Sequence, residues 1–80
     1  MDREFELRAI LDAELEQSGL AFYEEPAVVG HSLNSPHKLI AGVIYDPKTK
    51  EDLDIEPCFD LAAYYVEAIE AVREHRALVA

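Results

Sequence analysis

A single cysteine, three glycines, no tryptophan and only seven lysines and arginines in 80 residues exclude several classes of protein at the outset. Cys58 has no second cysteine for an intramolecular disulfide, and a cysteine-based zinc finger is excluded; a reducing compartment fits best. Gly19, Gly30 and Gly42 are isolated from one another, so the chain carries no glycine-rich phosphate loop. No apolar run approaches membrane-spanning length. The N-terminal MDREFELRAI has acids where a signal peptide would carry a basic stretch, which points to a cytoplasmic protein. There is neither a low-complexity tract nor an internal repeat.

What is present is a folded chain with an excess of acid. Half of the residues are hydrophobic, which argues for a globular body rather than a disordered acidic tail. Residues 1–80 are expected to form one domain whose core is barely sufficient by itself, so that dimerisation would help. Seventeen acids against seven bases give a formal charge of -10. A field of that sign repels nucleic acid and anionic membrane and attracts basic protein surfaces.

Apolar periodicity places a helix from Asp2 to Ser18, with Leu7, Ile10, Leu11 and Leu15 on one face. Asp2 can cap its start, and Gly19 followed by Leu20 suits a left-handed stop in which Leu20 folds back on Leu15. Glu14 falls inside the angular span of the apolar face and is expected at its edge, reaching water. Phe22-Tyr23 and Val28-Val29 are β-prone runs on either side of Pro26, as one edge strand or two short pieces. HSLNSP, residues 31–36, is rich in turn formers. Leu39 to Tyr45 is apolar at every position, as in a central strand covered on both faces. Asp46-Pro47-Lys48-Thr49-Lys50 is a turn. In KEDLDIEP, residues 50–57, alternation sends Leu53 and Ile55 to the core and Asp52, Asp54 and Glu56 to the other side.

A second helix is expected from about Pro57 to about Ala77, opened by Pro57 or capped by Asp60. Phe59, Ala62, Val66 and Ile69 form one stripe able to cover the sheet. Leu61, Tyr64, Ala68, Ala71 and His75 form a second stripe, for which two partners qualify: a second copy of the chain, making a homodimer, or the first helix. The fold class that follows is α+β, a three-stranded antiparallel sheet between two helices in the order αβββα.

The chemistry-bearing residues do not assemble into a catalytic or metal motif. Lys48 and Lys50 stand where a calcium loop starting at Asp46 needs ligands, and Glu51 where it needs glycine. His31, His37, His75 and Cys58 lack zinc-ligand spacing. Cys58, beside a proline at a helix start, could carry a lowered pKa, yet Cys58 with a histidine, or Ser32 with His31 and an acid, would each need a spatial adjacency that spacing does not supply. A small buried thiol is the commoner role for such a cysteine. Neither enzyme activity nor a cofactor or metal is expected.

The element order, together with PHKLIAGVIYD as a second strand, resembles the double-stranded RNA-binding domain. That family opens its second helix with a basic cluster that grips phosphate, whereas Pro57-Cys58-Phe59-Asp60-Leu61 stands here, so the resemblance implies the fold and no RNA-binding residues. Acids dominate instead: Asp52, Asp54 and Glu56 along the strand, Asp46, Glu51 and Asp60 at its ends, and Glu24 and Glu25 before Pro26. A solvated sheet face accounts for any one of them. Their collective density is a charge concentration that a basic groove would accept in place of nucleic acid.

In size, acidity and lack of catalytic motifs the chain is similar to small phage-encoded anti-CRISPR proteins. That resemblance implies binding to a CRISPR effector complex, such as the multisubunit Cascade of type I systems, and occlusion of its DNA channel. The expected partner contacts are Asp52, Asp54, Glu56 and Asp60, supported by Glu51, Glu24 and Glu25. Two other classes fit the residues: an immunity or antitoxin-like protein that neutralises a basic toxin, and a structural module acting as a homodimer through the Tyr64 and Ala68 face.

Overall fold

A computed structural model describes residues 2–31 and 38–79, with elements in the order α1 (Arg3–Ser18), β1 (Ala21–His31), β2 (Lys38–Asp46), β3 (Glu51–Leu53) and α2 (Leu61–Val79). The α+β class and the αβββα order are as the sequence implies. Most of the turn expected at 31–36, with Ser32, lies outside the described residues, as does His37.

Helix α1 starts and stops where its polar signals say. The Glu4 N–H donates to the Asp2 carboxylate at 3.1 Å. Gly19 takes φ 68°, the Leu20 N–H donates to the Leu15 carbonyl at 2.9 Å and the Gly19 N–H to the Glu16 carbonyl at 3.2 Å. These two bonds are the pair that closes a Schellman motif. Leu7, Leu11 and Leu15 are buried, while Ile10 is 44% exposed and lies at the margin of the stripe. Leu11 is fully buried, so truncation to alanine should cost roughly 2–5 kcal/mol.

The sheet is antiparallel in the order β1-β2-β3. Strand β1 is a single edge strand that continues through Pro26. It does so by breaking register: the pairs Phe22↔Ile44, Glu24↔Val43, Ala27↔Ala41 and Val28↔Ile40 skip residues on β1, which gives the proline a place that needs no ladder N–H. Gly42 faces this irregularity. A β-carbon there would stand 2.9 Å from the Pro26 nitrogen and 3.0 Å from the Glu24 carbonyl oxygen and the Tyr64 hydroxyl. Only glycine lets these groups approach so closely.

Strand β3 is shorter than its alternating pattern suggests and pairs only through Ile44↔Leu53, Tyr45↔Asp52 and Asp46↔Glu51. Residues 54–57 make no further ladder pairs. Cys58 then pairs with Ile40, the Ile40 N–H donating to the Cys58 carbonyl at 2.7 Å and the Cys58 N–H to the Ile40 carbonyl at 2.9 Å. Pro57 therefore does not open the second helix. The cap is Asp60, whose carboxylate accepts from the Ala63 N–H at 2.7 Å, because Cys58 is held against β2.

Both helices lie on one side of the sheet. Tyr64, Tyr65, Ala68, Ile69 and Val72 of α2 join Leu7, Leu11, Leu15, Leu20 and Ile44 in one core. The stripe with Tyr64, Ala68 and His75 meets the sheet, since Tyr64 abuts Gly42 and His75 bonds Asp46. Val66 and Ile69 line a groove together with Leu7 and Ile10 of α1. Phe59, expected in the sheet-covering stripe, precedes the helix and is 64% exposed. The body measures 43 × 30 × 17 Å, a thickness that accommodates one layer of helices on one sheet.

Candidate functional site

The acidic segment is held from beneath. Leu53 and Ile55 are half-buried and pack on the core, while Asp52, Asp54 and Glu56 are exposed, so the alternation read from KEDLDIEP is realised. The segment is pinned at one end by the β2–β3 pairs and at the other by the Cys58–Ile40 pair. Asp52, Asp54, Glu56 and Glu51 make no side-chain hydrogen bond or ion pair among the described residues. Lys48 and Lys50 in the adjoining turn flank one end only.

The other acids in the expected set are separated from this row. Glu24 pairs in register with Val43 on the outer face of the sheet, with β2 between it and β3. Glu25 turns to the helical side and pairs with Arg8 at 3.1 Å. Arg8 also binds Asp12 at 2.9 Å and stacks over the Phe22 ring at 4.9 Å, so Glu25 is largely neutralised by its own chain. Asp60 is exposed but is engaged in capping α2. One continuous negative face from Glu24 and Glu25 to Glu56 is therefore not formed.

The cations explain where the charge is left over. Arg73 and Arg76 reach Glu14 at 3.3 and 2.7 Å, and Arg76 also donates to Gln17 at 3.1 Å. Glu14 is only 13% exposed. This corrects the expectation that it reaches water: α1 and α2 dock in parallel, Arg8 meeting Tyr65 near their starts and Gln17 meeting Arg76 near their ends, which brings two guanidiniums to it. With Arg8, Arg73 and Arg76 engaged between helices or against β1, the segment around β3 has no arginine to offset it.

Asp46 is part of the structure rather than of this charged row. It is 6% exposed, accepts from the Lys48 N–H at 2.9 Å and lies 2.8 Å from His75 Nε2. The His75 interaction, aided by the backbone donors, holds its carboxyl below the usual carboxylate range against the opposing effect of burial. Beside this pair a cleft of about 280 Å³ runs between the acidic segment and the end of α2, lined by Leu53, Asp54, Ala71, Glu74, His75 and Leu78 among others.

Cys58 has none of the surroundings of a nucleophile. Burial pushes its thiol upward, and Glu67, Asp60 and Glu56 push it further, the reverse of the lowered pKa considered from its position beside Pro57. Its Sγ donates to the Glu56 carbonyl at 3.4 Å. The homodimer stripe is also revised: Tyr64 and Ala68 are 0% exposed inside the chain's own core, and Leu61, Ala71 and His75 are partly covered, so that stripe is spent on the sheet.

No family model, curated protein or solved structure matches the chain. Among the described residues no helix is long and apolar enough to cross a membrane.

Proposed function

We propose that this chain is an acidic protein-binding inhibitor that covers a basic, nucleic-acid-binding surface of a partner protein. The observation that carries the proposal is the exposed, unpaired row Asp52, Asp54 and Glu56 on a segment anchored by Leu53, Ile55 and Cys58. Alternate carboxylates on an extended chain repeat at roughly 6.7 Å, and like charges so spaced repel one another in the free protein. A cationic surface relieves that repulsion, and the ordering left to be done on binding is reduced because the segment is paired to β2 at both ends. The work asked of the chain is occlusion, with no reaction catalysed.

The specific partner we propose is a type I CRISPR effector complex, bound at the positive channel that receives target DNA, which makes the chain an anti-CRISPR protein acting in a bacterial cytoplasm. Asp52, Asp54 and Glu56 are the principal contacts and Glu51 supports them. Glu24 and Asp60 contribute at the margins, Asp60 while still capping α2, and Glu25 least because Arg8 holds it.

The test is a pull-down with tagged protein from a lysate that contains such a complex, washed at low and high salt, with the captured proteins identified by mass spectrometry. Capture of the complex that weakens with salt, competes with target DNA and is lost in the folded triple variant Asp52→Lys, Asp54→Lys, Glu56→Lys supports the proposal. Capture of a basic toxin instead would assign the same surface to neutralisation of that toxin. Undiminished capture of the complex by the triple variant would contradict the role of the acids.

A further inference from the structure

The outer face of the sheet is apolar along its middle strand, whose residues there are half-buried, and among the described residues no helix lies over it. Ile44 and Asp46 point to the helices, so Leu39, Ala41, Val43 and Tyr45 of β2 occupy the opposite face. An antiparallel sheet with one open side normally presents polar residues there, and the middle strand presents none. Tyr23 of β1 is 71% exposed and its ring lies 6.0 Å from that of Tyr45, extending the patch to the sheet edge. The free edges are a different matter, since β1 is irregular in register and interrupted by Pro26, which discourages strand addition.

We infer that the outer sheet face, centred on Val43 and Tyr45, is a docking surface for a polypeptide whose aromatic or aliphatic side chains are flanked by lysine or arginine. Charge complementarity selects this occupant. Glu24, in register with Val43, and Asp52, in register with Tyr45, carry negative charge on either side of the apolar row. A second copy would bring another net -10 against the first, acid rim against acid rim, whereas a basic rim matches it. Apolar contacts at the centre supply the affinity that rim charges by themselves do not. The inference rests on the reading of the chain as a binder of basic surfaces and names the part of the partner that meets the sheet.

The test uses the whole chain immobilised against a phage-displayed library of random peptides, followed by affinity measurements on the peptides selected. Two variants separate the claims: Leu39→Thr with Val43→Thr, which preserves charge and places β-branched, strand-compatible residues at both outer-face positions, and Asp54→Lys with Glu56→Lys, which reverses acids beyond it. Circular dichroism and thermal melting establish that each is folded, and Tyr45→Thr serves if the double threonine variant is not. Enriched peptides that combine aromatic or aliphatic residues with lysine or arginine, and that bind the outer-face variant at least tenfold more weakly, support the inference. If such peptides bind the outer-face variant undiminished while the acid variant loses them, the inference falls and the acidic-surface reading stands. If the outer-face variant loses them and the acid variant does not, the face stands and the role of Asp54 and Glu56 falls. No enrichment, or a wild-type dimer in sedimentation that the outer-face variant abolishes, overturns the inference.

Discussion

His75 Nε2 lies 2.8 Å from Asp46 Oδ2, joining the C-terminal part of α2 to the turn that leads into the acidic segment. Asp46 also accepts from the N–H groups of Lys48 at 2.9 Å and Thr49 at 3.4 Å, so one buried carboxylate holds both the turn and the helix.

A pH dependence follows with a definite sign. The folded state lowers the Asp46 pKa, chiefly through His75. A carboxyl with a depressed folded value contributes stability that is present above its unfolded value, about 4, and lost as pH falls through the folded value. Thermal melting of the wild type should therefore decline below about pH 4 more steeply than that of Asp46→Asn, which retains an acceptor for the turn. Parallel declines would show that the pair contributes nothing in that range.

Tyr64 and Gly42 make a second prediction. The Tyr64 hydroxyl is buried against Gly42 without a well-formed hydrogen bond among the described residues, and burial raises its pKa to about 12 although the Gly42 backbone works against the rise. Tyr64→Phe removes a desolvated group and should stabilise the fold by roughly 1 kcal/mol. Gly42→Ala drives a methyl against the Pro26 nitrogen at 2.9 Å, where backbone must give way, and should cost roughly 1–3 kcal/mol. Urea titrations of the two variants should shift in opposite directions.

The β2–β3 turn contains a simpler case. Lys50 adopts φ 60°, a left-handed conformation that an L side chain enters at a cost. Lys50→Gly should raise stability by roughly 0.5–1 kcal/mol in equilibrium denaturation, provided that the hydrogen bond from its N–H to the Asp46 carbonyl, 2.7 Å, is retained.

Cys58 should be a slow thiol. Its pKa is raised by burial and by Glu67, Asp60 and Glu56, so the thiolate is scarce at neutral pH. Reaction with a disulfide reagent at pH 7 should run at least several-fold slower than for a cysteine in an unfolded peptide, and should accelerate when the chain is denatured.

Local signals in the sequence were the dependable ones. Asp2, Gly19 with Leu20, and Asp60 each act within a few residues, and each terminates a helix as its chemistry suggests. The alternation of Leu53 and Ile55 with Asp52, Asp54 and Glu56 was equally legible, because burial on one side suffices to set it. What escaped were relations made by docking. Glu14 looked like an edge residue until the parallel docking of the two helices brought Arg73 and Arg76 to it. Pro57 looked like a helix start until Cys58 returned to Ile40. Leu39 to Tyr45 correctly marked the central strand, yet the expected cover lies on one face only, which periodicity cannot distinguish. For the candidate site, the row Asp52, Asp54 and Glu56 could be read directly, whereas the capture of Glu25 by Arg8 depended on tertiary contact.

The most direct test of the central claim is binding of labelled target DNA by a purified type I CRISPR effector complex, measured by gel shift with increasing amounts of this protein. Wild-type protein should displace the DNA, less so as salt is raised, and the folded Asp52→Lys, Asp54→Lys, Glu56→Lys variant should not. DNA binding unaffected by the wild-type protein, or displaced equally by the variant, would contradict the claim.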